Sequence, residues 1–251
     1  KNITIINRMG SGVKLVRASG FEGTMFKVTS GSLTIGSTDA SYTGTITIDG
    51  ASATAISGRT IEANADFTLG RNATLANANS SNAGAALYIT GGNTVLYGNF
   101  VKNQASANSD TNGLGGAIGL ATTNKLVISG GSYTENTAKK RGAAICAMVE
   151  NATIEITNAT FDKNSVSDSH GGAISGYANN TVYNLTITGS TFTNNSAYHG
   201  GAIFNMGTTS VINISGCTFS GNTKKGQGAD IAIKSGNTNA TIQEGLDVGQ
   251  L

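Results

Sequence analysis

Two histidines stand in the same local context, His170-Gly-Gly-Ala-Ile and His199-Gly-Gly-Ala-Ile, 29 residues apart. In stacked copies of one structural unit their imidazoles would lie about 5 Å apart, close enough to share a metal ion or to titrate together. The same position in other copies of the motif holds Leu114, Arg141 and Gln227, and no third ligand is evident. His170 and His199 are thus the metal candidates, and the reading adopted for them is a solvated corner with no metal and no cofactor.

Carboxylates are the next chemistry to weigh. Lyases of acidic polysaccharides gather several around Ca²⁺ beside a basic residue, and hydrolases face two across a sugar. The chain has 14 Asp and Glu in 251 residues. Glu135 and Asp162 fall one place apart in the repeat, Glu155 aligns with Val127, Thr186 and Asn213, and Glu62 and Asp66 have no acidic match one repeat on. No catalytic residue is assigned, and a carbohydrate-active enzyme, lyase or glycoside hydrolase, is the alternative reading. The column Val127, Glu155, Thr186 and Asn213 is also too mixed for an ice-binding threonine face.

Tyr177, Tyr183 and Tyr198 are read as exposed in loops or corners of neighbouring repeats. Tyrosine is common where surfaces bind sugars or proteins, so these three are the candidate ligand contacts. Cys146 and Cys217 lie at different points of the repeat, two repeats apart. A bridge would need Cα atoms within about 7 Å, so both are read as small buried residues.

What must position these groups is a repeat. Gly-Gly-Ala-Ile or a close variant recurs at Gly84–Leu87, Gly115–Ile118, Gly142–Ile145, Gly171–Ile174, Gly200–Ile203 and Gly228–Ile231, and the steps from Ile118 through Ile145, Ile174 and Ile203 to Ile231 are 27, 29, 29 and 28 residues. A second marker keeps the beat as Phe100/Asn103, Tyr133/Asn136, Phe161/Asn164, Phe192/Asn195 and Phe219/Asn222. Between the markers the apolar residues alternate, as Leu126/Ile128, Ile154/Ile156, Leu185/Ile187 and Ile212/Ile214. Period two means strands with one face inward, and a period near 28 means a solenoid.

The fold expected is all-β, a right-handed parallel β-helix of about eight coils forming one domain over 1–251. Residues 1–83 read as irregular coils, 84–231 as regular ones and 232–251 as a final partial coil. Ile118, Ile145, Ile174 and Ile203 should form one column, Phe161, Phe192 and Phe219 a second, and Asn136, Asn164, Asn195 and Asn222 a third. The glycine pair should serve a sharp corner, and the asparagines should tolerate left-handed backbone while bonding their stacked neighbours.

Composition agrees with this. The chain has 35 Gly, no Pro, no Trp, 12% charged residues and a net charge of +2 from scattered residues, so no basic stripe points to nucleic acid. No run of about 18 apolar residues is present, so no direct membrane insertion is expected. Opening on Lys1 in strand-like sequence, the chain reads as a piece of something longer.

Five alternations of Gly-Gly-Ala-Ile and Phe-x-x-Asn in fixed order resemble the repeats of the chlamydial polymorphic membrane proteins and of adhesin-like microbial surface proteins. The resemblance covers Gly84 to Asp230 well and residues 1–83 loosely. It implies a β-helix displayed extracellularly, at the cell surface or secreted, without enzymatic activity. It also implies an adhesin or stalk whose partner is a host-cell protein or glycan, or a ligand on a neighbouring cell.

Overall fold

The computed structural model describes residues 1–51, 53–178 and 180–251, and the regular structure among them is strand throughout. Every strand pair is parallel, and the strands fall into sheets of nine, nine, eight and six members. The seventh coil shows the path. Tyr183–Thr188 enters sheet 1, Thr191–Thr193 sheet 2, Ser196–Ala197 the short sheet 4, and Ile203–Asn205 sheet 3, before Ile212–Ser215 returns to sheet 1. Eight coils are complete in the three long sheets. The ninth contributes only Ala240–Ile242 and Val248–Gln250.

Alternation dictates the core. Ile35, Leu69, Leu96, Ile128, Ile156, Ile187, Ile214 and Ile242 pair one above another in sheet 1. Ile61, Leu87, Ile118, Ile145, Ile174, Ile203 and Ile231 do the same in sheet 3, all buried. In sheet 2 the rings of Phe100, Tyr133, Phe161, Phe192 and Phe219 stack in register, with centroids 5.1, 4.7, 4.7 and 4.7 Å apart. That spacing is the strand spacing itself, so the backbone sets the ring geometry. Leu75, Ile48 and Leu15 continue the column through the first three coils.

The asparagine column is a closed hydrogen-bond ladder. Nδ2 of Asn164 donates to Oδ1 of Asn195 at 2.9 Å and to the carbonyl of Tyr133 at 2.8 Å, while its own Oδ1 accepts from the amide and Nδ2 of Asn136. Asn103, Asn136 and Asn195 bond in the same pattern, so these buried amides are satisfied. The left-handed backbone expected at the asparagines lies instead one residue earlier, at Lys102, Glu135, Lys163, Asn194 and Gly221, with φ between 54° and 65°. The chain makes its turn there, and the asparagine that follows is left free to point inward.

At the other corner the first glycine of each motif has positive φ, and a Cβ on Gly171 or Gly200 would fall 2.3 or 2.0 Å from the carbonyl oxygen of Ile174 or Ile203. The second position is alanine in one coil, where Ala143 is buried, but a Cβ on Gly172 would collide with the carbonyl oxygen of Gly201. Cys146 and Cys217 are both free and buried. The irregular first coils are held by Arg17, whose guanidinium donates to the carbonyls of Gly50, Phe21, Gly23 and Arg59. Ile3 and Val16 of the first coil remain more than half exposed.

Candidate binding surface

The residue before each glycine pair folds over the outer face of sheet 3. Leu114, Arg141, His170 and His199 form a bridged column there, one residue per coil. They cover the outward column Cys146, Ser175, Phe204 and Ala232, which is buried although it points away from the core. His170 and His199 lie with ring centroids 5.1 Å apart, as their shared position requires. His170 is half-buried rather than solvated, because Phe204 on the next coil stacks beneath it at 4.3 Å. Burial, then the Arg141 guanidinium and His199, push its pKa down to about 4. His199 accepts a hydrogen bond at Nδ1 from the amide of Gln227 at 2.8 Å, which takes that nitrogen out of any shared coordination. Burial lowers its pKa too. Among the described residues no group of three or more His, Cys, Asp or Glu is placed to hold a metal ion.

The tyrosines divide. Tyr198 is 47% exposed, with its ring edge-on to His199 at 4.7 Å. Tyr177 is 38% exposed just past Ile174–Gly176. Tyr183 is not a surface residue: it is fully buried, and its hydroxyl donates to the carbonyl of Phe204 at 2.8 Å. Tyr183 opens the strand Tyr183–Thr188 opposite the buried Ala152, in phase with Leu185 and Ile187 on the inward face.

A second feature was not visible as a site in the sequence. Along sheet 4 the outward residues Gln104, Thr137, Ser165, Ser196 and Thr223 stand in single file. Two shallow depressions of about 320 and 270 Å³ meet there at Ser165 and Ser167, forming one trough parallel to the axis. Its rim carries Lys139, Tyr198, Lys224 and Lys225, and among the described residues no carboxylate lines it. The alternation of hydroxyl and basic residues was present in Thr137/Lys139 and Thr223/Lys225, but nothing local marks it as concave.

Several carboxylates elsewhere are engaged by neighbours. Glu155 meets Lys125 at 3.0 Å, Glu135 meets Lys102 at 3.7 Å and Glu62 meets Arg59 at 3.7 Å. Burial alone would raise the pKa of Asp49, yet the ammonium of Lys14, the amide of Ala51 and Nδ2 of Asn77 hold it below the ordinary carboxylate value.

Residues 189–206, which run from the turn before Thr191–Thr193 through Gly-Gly-Ala-Ile to Met206, match the family model of the Chlamydia polymorphic membrane protein repeat. The chain thus carries a repeat of this type, set in a parallel β-helix. No curated protein and no solved structure matches the chain.

Proposed function

We propose that the chain is a non-enzymatic adhesin or displayed stalk, held extracellularly at a microbial cell surface or secreted. It binds a host-cell protein or glycan, or a ligand on a neighbouring cell. The observation that carries this reading is the polymorphic membrane protein repeat at 189–206, placed on one coil of an array whose neighbours repeat the same two motifs. A rigid array of stacked coils offers a long polar face with contacts spread over many side chains, which suits adhesion. The engagement of Glu155, Glu135, Glu62 and Asp49 by basic partners favours binding over acid–base chemistry.

Incubating the folded chain with epithelial cells, with bacterial cells, and with pectin, alginate and host glycans separates the readings. Saturable retention on cells with no sugar released is the expected result. Release of unsaturated sugars or reducing ends would replace adhesion with the polysaccharide lyase or hydrolase alternative.

A further inference from the structure

Thr137, Ser165, Ser196 and Thr223 form one column along the trough by strand register, and Lys139, Ser167, Tyr198 and Lys225, each the residue that follows its two-residue strand, line the trough as a second row. From Thr137 to Thr223 the first column is hydroxyl, and Gln104 extends it with an amide. The second carries a cation near each end and an aromatic ring between them. Lys224 is engaged by Asp247 at 2.5 Å. Among the described residues Lys139 and Lys225 have no ion-pair partner, and they stand three coils apart, roughly 14 Å at the strand spacing. Beneath lie Ala105, Ala138, Val166 and Ala197, so the floor is flat and small and has no pocket for a bulky side chain.

We propose that this trough binds a linear anionic glycan running along the solenoid axis. The inference rests on the adhesion reading above and names the ligand class for it. Serine and threonine hydroxyls at one-coil spacing can exchange hydrogen bonds with successive sugar hydroxyls. Tyr198, nearly half exposed, lines the trough and adds an aromatic contact for a pyranose. Lys139 and Lys225 supply charge where carboxylate or sulfate groups recur. A single aromatic ring is too few for single-stranded nucleic acid, which stacks successive bases on several rings. A peptide would lack an anchor pocket on so flat a floor.

The test measures the full chain on immobilised polygalacturonate, heparin and neutral dextran at low and high salt, and on cells in parallel. The expected result is retention on at least one anionic glycan, released by salt, and none on dextran. Lys139→Glu with Lys225→Glu should weaken binding about tenfold or more, whereas Arg8→Glu with Lys27→Glu, an equal charge change far from the trough, should leave it unchanged. Ser196→Trp, which fills the floor without altering charge, should weaken it as well, with circular dichroism confirming that each variant is folded. Equal loss in both charge-reversed pairs, or no effect of Ser196→Trp, overturns the inference. Retention on cells but on neither anionic glycan overturns it while leaving adhesion standing. Glycan binding without cell binding supports the trough and removes the adhesion reading, and binding to nothing removes both.

Discussion

Asn222 donates from Nδ2 to Oδ1 of Asp230 at 3.0 Å, and Asp230 accepts the amide of Asp247 through its other oxygen at 2.9 Å. Asp230 stands where the preceding motifs have Ala117, Ala144, Ala173 and Ala202. The ninth coil brings no sixth asparagine, and this carboxylate takes its place at the end of the ladder. Asp230→Ala restores the repeat's own residue and should nevertheless destabilise the chain by about 1–3 kcal/mol, because Asn222 loses an acceptor. Asp230→Asn should recover most of the loss, and urea unfolding midpoints check both.

Thr94 occupies the inward column that otherwise runs Leu33, Phe67, Leu126, Ile154, Leu185 and Ile212. It is buried and its hydroxyl has no hydrogen-bond partner. Thr94→Val keeps the shape and removes the stranded polar atom, so it should stabilise by about 1–2 kcal/mol. A rise in the urea midpoint with an unchanged m-value is the expected reading.

Lys163 holds φ of 54° at the turn before Asn164. A side chain in left-handed backbone costs roughly 1–2 kcal/mol, and glycine avoids most of that at some cost in unfolded-state entropy. Lys163→Gly should therefore raise stability by about 0.5–1 kcal/mol in thermal melts. The ion pair it removes, to Asp162 at 3.9 Å, is long and exposed on the lysine side, so it is worth little.

His170 faces the Arg141 guanidinium, the His199 imidazole, the Tyr198 ring and the Phe204 ring. Its pKa in the folded chain is about 4, below the ordinary value of 6.5, so the folded state resists the proton that the unfolded state accepts. Stability is complete above the ordinary value and falls as pH drops through the window between the two. Discounted for the ring's partial exposure, the loss is on the order of 1–2 kcal/mol. Wild type and His170→Gln compared at about pH 7 and pH 4.5 should differ in slope, with the variant flatter across that window.

The columns of isoleucine, aromatic rings and asparagine were legible because each repeats at a fixed phase within a coil, and parallel stacking turns phase into contact. Tyr183 extends the inward alternation of Leu185 and Ile187, a phase already present in Tyr183-Asn-Leu-Thr-Ile, and its polar hydroxyl and place next to a loop are what make it read as a surface residue. The left-handed residue escaped notice because Lys102, Glu135 and Lys163 are not residues that advertise that conformation. The outer cover of sheet 3 was hidden for a different reason. Leu114, Arg141, His170 and His199 share a position but not a chemistry, and their common task of roofing the outward column follows from the course of the corner. The trough depends in the same way on which strands lie side by side.

The interlocked amides and rings begin at Asn103 and Phe100 and end at Asn222 and Phe219, while in the first coils the ring column is aliphatic, Leu15, Ile48 and Leu75, and dispersed anchors such as Arg17, Asn7 and Asn72 join one coil to the next. Such a rod has an uneven mechanical temper. Tension along its axis would be spent in the early coils, which yield first, and the face bearing Tyr198 would keep its shape while the molecule behind it stretches.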